Sequence, residues 1–446
     1  MNDRLAGVSR RGFLRGSAMA VTALAAGNAL AACAASTTTG SSSGRTTISV
    51  MDGDPLPADI SAFEKAHPDI KVQQLVYDPT RLQAMIAAGS PPDVVRGQGA
   101  TDTPYLATFK LAAPLDDYVA KSSVLKAADL DPVNDLWRFD GTKQGAGPRY
   151  GLAKDYSQDN MFWFNPKPFA QAGVATPSTT VPISYDEWAH LAEQVSRKQG
   201  GQLAVFGVDS GEGHLFQHFV AMVHSAGGSL FSSDLTRVDF SSPEGQKALS
   251  WYVNLARTKS SMSVVTPAPT GGSVALLKAN RIGMVDAGYW YTAVLNGDPA
   301  GDTCRLAPAP QFGTTRTSPT NSATGAWISA KSSHKDEAWQ FLEFFLGPAR
   351  AKGRAQAGTG NPTLISLRGE LPSGTPMQQQ ALATQRAELP YLTSLSYTPY
   401  AQLSALEAAL EPALVSSINS GQSTGKLADT LNSTLNSLIQ QGKQNT

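Results

Sequence analysis

The segment that most restricts the fold runs from Thr46 to Gly99, where short β-rich stretches alternate with short helical ones. Thr46–Met51 is β-branched and apolar, and Asp52-Gly53-Asp54-Pro55-Leu56-Pro57 cannot extend it, so a loop must follow. Ile60, Phe63 and Ala66 recur at helical spacing. That helix has to stop near His67-Pro68, because a proline pushes the residue before it out of the helical region. Ile70–Val76 reads as a second strand, Leu82, Met85 and Ile86 as a second helix closed by Gly89, and Asp93–Val95 as a third strand entering Arg96-Gly97-Gln98-Gly99. Such alternation predicts an α/β fold, a parallel sheet with helices on its faces. In these sheets the ligand crevice lies beyond the carboxyl ends of the strands. That position marks two polar, glycine-bearing loops, Asp52–Asp54 and Gly97–Thr101, with Asp52, Asp54 and Gln98 as candidate contacts. Both loops are also readable as plain turns.

The chain's 446 residues make room for about three average domains or two large ones. Hydrophobic residues at 41% suffice for sizeable cores. Lys+Arg and Asp+Glu both number 36, so the chain lacks the electrostatic footprint of a nucleic-acid binder. Two cysteines exclude a disulfide-stapled scaffold and a cysteine-rich zinc module. Cys304 reads as a small buried hydrophobe. Catalytic and cofactor motifs are thin. Gly421-Gln422-Ser423-Thr424-Gly425-Lys426-Leu427 has the wrong glycine spacing for a phosphate loop and ends in Leu where a hydroxyl should hold magnesium. Gly97-Gln98-Gly99-Ala100-Thr101-Asp102 lacks the last glycine of a dinucleotide fingerprint. His214 and His218 have the spacing of half a helical metal site, but no His-Glu-x-x-His accompanies them, and a helix face is the plainer reading. No cofactor and no metal are expected.

The N-terminus carries an address. Arg10-Arg11-Gly12-Phe13-Leu14 precedes an Ala-rich apolar run ending at Ala32, too short for a membrane span of about 20 residues. The paired arginines resemble a twin-arginine export signal. Leu30-Ala31-Ala32-Cys33 resembles the bacterial lipobox, in which cleavage exposes a cysteine for acylation. The expected division is a signal over 1–32, lipidation at Cys33 and a flexible tether over 33–45, rich in Ser, Thr and Gly.

Further along, the residues carry a family resemblance. Phe63-Glu64-Lys65-Ala66-His67-Pro68-Asp69-Ile70 and Ala84-Met85-Ile86-Ala87-Ala88-Gly89-Ser90-Pro91-Pro92-Asp93 resemble the opening motifs of bacterial extracellular solute-binding proteins of the sugar-binding type. Tyr150-Gly151-Leu152-Ala153, Phe164-Asn165-Pro166-Lys167, Tyr185-Asp186-Glu187-Trp188, Gly283–Trp290 and Gly325-Ala326-Trp327-Ile328 follow in the family's order. The resemblance implies a two-lobe, periplasmic-binding-protein-like fold of type II, its lobes joined by a multi-strand hinge. Lobe one would comprise 46–153 and 311–357, and lobe two 154–310 and 358–446, with crossings near Ala153, Pro310 and Gly358. It also implies a monomeric carrier outside the cytoplasm that delivers a sugar to an ABC permease without transforming it. Sugars need paired polar groups for vicinal hydroxyls and an aromatic face for the C–H surface. Asp155 and Tyr156 at the first crossing, Asp286, Tyr289 and Trp290 at a strand end, Asn361 at the third crossing and Tyr400 near the C-terminal helices are the further candidates. Trp163, Trp188, Trp251 and Trp339 read as core. Two other functions stay open: a carrier for a polyamine or glycerol phosphate, and a surface glycoside hydrolase, which would need two carboxylates about 5–9.5 Å apart.

Overall fold

The computed structural model describes residues 44–210 and 214–446. The export signal in 1–32, Cys33 and all but the end of the 33–45 tether lie outside the described residues. Eleven strands build the two principal sheets: β1 (Thr46–Asp52), β2 (Ile70–Val76), β3 (Val94–Gln98), β4 (Leu152–Tyr156), β5 (Phe162–Phe164), β6 (Arg197–Gln199), β7 (Gln202–Asp209), β8 (Ile282–Asp286), β9 (Arg305–Ala307), β10 (Thr324–Ile328) and β11 (Asn361–Pro362). The first sheet has the order β11-β4-β10-β3-β1-β2 and the second β9-β5-β8-β7-β6.

The opening unit forms as its sequence predicts. β1 runs parallel to both β2 and β3. The helix after β1, Pro57–Ala66, starts on a proline and ends at His67, ahead of Pro68. The helix after β2, Pro79–Ala87, is capped by the Asp78 carboxylate, which accepts from the Arg81 amide at 2.9 Å. Ile48 and Val50 enter a core with Phe63, Phe341 and Leu342, while Met51 and Val95 join a second cluster with Trp137 and Trp327. β2, at the sheet edge, instead alternates, burying Ile70 and Val72 and exposing Lys71 and Gln73.

Each sheet also contains an antiparallel strand delivered by a crossing of the chain. β10 lies antiparallel between β3 and β4, and β5 antiparallel between β8 and β9. The crossings fall later than expected. β4 continues to Tyr156 within the first sheet, held by β10 and by the pairing of Asn361 and Pro362 with Tyr156 and Asp155. Asp155 and Tyr156 therefore belong to the first sheet, and the chain changes sheets between Tyr156 and Phe162. On the return, the Gln311 amide still donates to Ile183 O at 3.0 Å beside the second sheet, so that passage lies between Gln311 and Thr324 rather than at Pro310. After Gly358 the chain adds β11 and buries Leu364 and Leu367 in the first core, and Leu371 then packs on the second. Backbone pairing explains the shifts: a strand keeps to one sheet while its ladder partners continue, whatever the local turn signals.

Trp163, Trp188 and Trp251 are buried in the second lobe and Trp339 in the first, as their spacing implies. Cys304 is a free, buried thiol, its pKa pushed up to about 12 by burial. The helices Leu403–Ser420 and Thr424–Gln444 pack into the second-lobe core, and the Gly421–Leu427 segment is the turn between them. No described helix is long and apolar enough to cross a membrane.

Candidate functional site, a cleft between the lobes

A cavity of about 710 Å³ opens where the carboxyl ends of β1, β3 and β8 meet the passage from β4 to β5. Its first-lobe wall is a dense charge network. Lys154 Nζ lies 2.7 Å from Asp54 Oδ2 and 3.7 Å from Asp155 Oδ2. Arg96 Nε is 3.8 Å from the buried Asp52, and Arg350 pairs with Asp59. Arg354 donates to Phe345 O at 2.7 Å and stacks on the Phe345 ring. Burial works against the Lys154 charge, but Asp155 and Asp54 outweigh it and hold the ammonium above its usual range. For Asp155 the balance is reversed: burial raises its carboxyl more than Lys154 and Arg354 lower it.

The second-lobe wall is built by the β8 end, the β4–β5 passage and the helix Leu215–Ser225. Trp290 follows Asp286 through Ala287 and Gly288, and its amide donates to Ser157 Oγ at 3.3 Å. A Cβ at Gly288 would sit 2.5 Å from Ser157 Oγ, so this junction accepts only glycine without movement. The Trp290 indole is 40% exposed, the largest hydrophobic side chain left open on this wall. Asp286 Oδ2 is 2.8 Å from His218 Nδ1, with both side chains buried, a charge contact without hydrogen-bond geometry, and Asp286 Oδ1 and both His218 ring nitrogens have no hydrogen-bond partner. Asp159 accepts from the Asn321 amide at 2.8 Å and from Thr320 Oγ1 at 3.2 Å. Burial pushes its carboxyl up to about 6. The walls touch where Gln217 Nε2 donates to Gln98 Oε1 at 3.2 Å.

Of the ten predicted contacts, Asp54, Gln98, Asp155, Tyr156, Asp286 and Trp290 meet in this cleft. The other four do not. Asp52 is buried behind it, accepting from the Asp54 amide, because the loop turns its carboxylate back onto its own backbone. Tyr289 is fully buried in the second-lobe core, since consecutive residues of this turn point to opposite sides and Trp290 takes the open one. Asn361 lines a separate cavity of about 760 Å³ and donates to Gln158, because its strand pairing aims it away from the cleft. Tyr400 packs on the second-lobe core under Lys443, as the C-terminal helices cover that core instead of the cleft. The Gly97–Thr101 loop is also differently employed. A Cβ at Gly99 would meet the Trp137 indole at 2.6 Å, so this glycine serves packing.

Sequence reasoning missed Arg96, Asp159, Gln217, His218, Asn321 and Arg354, all of which line the cleft. His218 faces Asp286, and no group of three or more metal-ligating side chains occurs among the described residues. The signal for His218 lay in its place on a helix whose other residues are almost all buried.

A cleft between two α/β lobes, linked by strands that pass from one to the other, defines a two-lobed binding protein of the type II architecture. The profile of bacterial extracellular solute-binding proteins matches residues 48–352, and the chain belongs to that family. Membership places the protein outside the cytoplasm, among binding components of transport. No curated protein matches the sequence. The fold is similar to the ABC substrate-binding protein Lmo0181 from Listeria monocytogenes in complex with cycloalternan (TM-score 0.73, 21% identity, covering 89% of this chain and 99% of that one). It is also similar to a solute-binding protein from Thermotoga lettingae bound with α-D-tagatose (0.73, 17%, 88% and 100%). A solute-binding protein from Agrobacterium vitis with bound D-mannitol is a third such structure (0.68, 19%, 90% and 99%).

Proposed function

We propose that this protein captures a sugar, sugar alcohol or oligosaccharide between its lobes and hands it, unchanged, to an ABC importer. Cys33 carries the lipid that holds the mature, monomeric chain on the outer face of the cytoplasmic membrane, after export through the twin-arginine signal. The observation that carries the reading is Trp290, a half-open indole in a cleft whose lining also presents carboxylates, amides and cations. An apolar plate among paired donors and acceptors matches a pyranose, which has one C–H face and a rim of hydroxyls. The solute ligands named for the structurally similar proteins belong to the same chemical class. Solute contacts to both lobes would favour the closed form, the form a permease reads. A thermal-shift screen against sugars, polyols, polyamines and phosphoesters tests this. A ligand at 100 times its dissociation constant adds about 2.7 kcal/mol, a visible rise in Tm. Shifts produced only by polyamines or only by phosphoesters would overturn the sugar reading, and release of reducing ends from a bound glycan would overturn the non-catalytic one.

A further inference from the structure

We infer that the solute carries an amine, seated at Asp159 and Asp286 beside Trp290. The inference rests on the carbohydrate reading above and narrows it to amine-bearing saccharides. It starts from a charge count by wall. On the first-lobe wall and directly behind it, Asp52, Asp54, Asp59 and Asp155 face Arg96, Lys154, Arg350 and Arg354, so that wall neutralises itself. On the second-lobe wall no lysine or arginine forms an ion pair with Asp159 or Asp286 among the described residues. Asp159 is met only by neutral donors, the hydroxyls of Thr320 and Ser322 and the backbone amides of Asn321 and Ser322, and Asp286 by the His218 imidazole with His214 also near. A carboxylate withdrawn from water without a cation is costly, and proteins rarely leave two in one site.

Two further observations point the same way. Asp286 lines the cleft, and its buried Oδ1 has no partner. The two carboxylates also flank one junction: the Ala287 amide donates to Met161 O at 3.0 Å and the Trp290 amide to Ser157 Oγ, which brings the residue after Asp286 and the residues around Asp159 together. An ammonium group placed there brings the cation that this wall lacks, donates to the vacant Asp286 oxygen and lies near an indole face that attracts cations. The neighbouring sugar ring then covers the same indole. A neutral sugar brings no cation to either carboxylate.

Calorimetry with matched pairs tests this: D-glucosamine against D-glucose, and the glucosamine β-1,4-disaccharide against cellobiose. The amine member of a pair should bind about ten- to a hundredfold more tightly, the range for a charge-assisted hydrogen bond. Asp159→Asn and Asp286→Asn should each remove most of that preference, read as the ratio of the amine member's affinity to the neutral member's. Unfolding curves of the unliganded variants show that they fold. Equal or tighter binding of the neutral sugars overturns this inference and leaves the carbohydrate reading standing. Binding of spermidine with no saccharide of either kind overturns the carbohydrate reading itself, and preference retained in both variants overturns the assignment of the site.

Discussion

On the first-lobe wall of the cleft each buried carboxylate has a cation within reach, with Lys154 set between Asp54 and Asp155. On the second-lobe wall Asp159 has only neutral donors, Asp286 has His218, and Trp290 stands open. The first wall is electrostatically complete before any solute arrives, and its hydrogen-bonding groups are held in place by one another. The second is left incomplete, and the solute supplies what it lacks. Hence the same kind of substitution should act on folding at one wall and on binding at the other.

The largest effect belongs to the open wall. Trp290→Ala removes the exposed indole of that wall and should weaken solute binding by at least about thirtyfold, the scale of a well-packed aromatic anchor. Tm of the unliganded protein should move little, because a half-exposed side chain contributes modestly to the core. Calorimetry together with thermal unfolding separates the two quantities. Next comes Lys154→Met on the closed wall. It strands Asp155 and releases Asp54, with an expected loss of about 2–3 kcal/mol in urea unfolding. That figure lies below the range for a fully buried pair because the Asp54 side chain is 55% exposed. A Lys154 variant of unchanged stability would erase the contrast between the walls.

Asp159→Asn should act in the opposite sense on folding. With its carboxyl raised to about 6 from the usual 3.8, the ionised form is a cost to the folded state at neutral pH. Burial is the cause, and the groups facing Asp159 are the Asn321 amide, Thr320, Ser322 and Tyr397, none of them cationic. The cost is fully present above pH 6, shrinks as pH falls through 6, and is gone below about 3.8. The variant should therefore be more stable than the parent by on the order of 1 kcal/mol at pH 7 and match it near pH 4. Thermal unfolding across that range reads the difference, and a gap that widens on acidification would refute the assignment.

Legibility in the sequence follows the same division. The β1–β3 unit was readable because period, proline stops and glycine closures are local, and Trp290 was readable because Gly288 and a strand end mark it. Asp159 and His218 were not, since their meaning comes from contacts with segments remote in sequence, Asn321 in one case and Asp286 in the other. Tyr289 and Tyr400 misled for a related reason: an aromatic next to a loop looks the same in sequence whether it faces a cleft or a core. The crossings were displaced because β4 is prolonged by β10 and β11, partners supplied about 170 and 200 residues later.

The smallest expected effect concerns the seam between the walls. Gln217 Nε2 donates to Gln98 Oε1 at 3.2 Å and to Asn321 O at 3.3 Å, which ties the helix Leu215–Ser225 to the ends of the first-lobe strands. Both acceptors keep access to water when the lobes part, so the bond distinguishes the closed form from the open one by no more than an ordinary net hydrogen bond, about 1 kcal/mol. Gln217→Ala should therefore weaken solute binding about fivefold. The saturated variant should have the same radius of gyration in small-angle scattering as the saturated parent, because the closed geometry is still reached. A larger radius at saturation would mean that the seam fixes the geometry of closure as well as its free energy, and the second wall would then depend on the first for its shape.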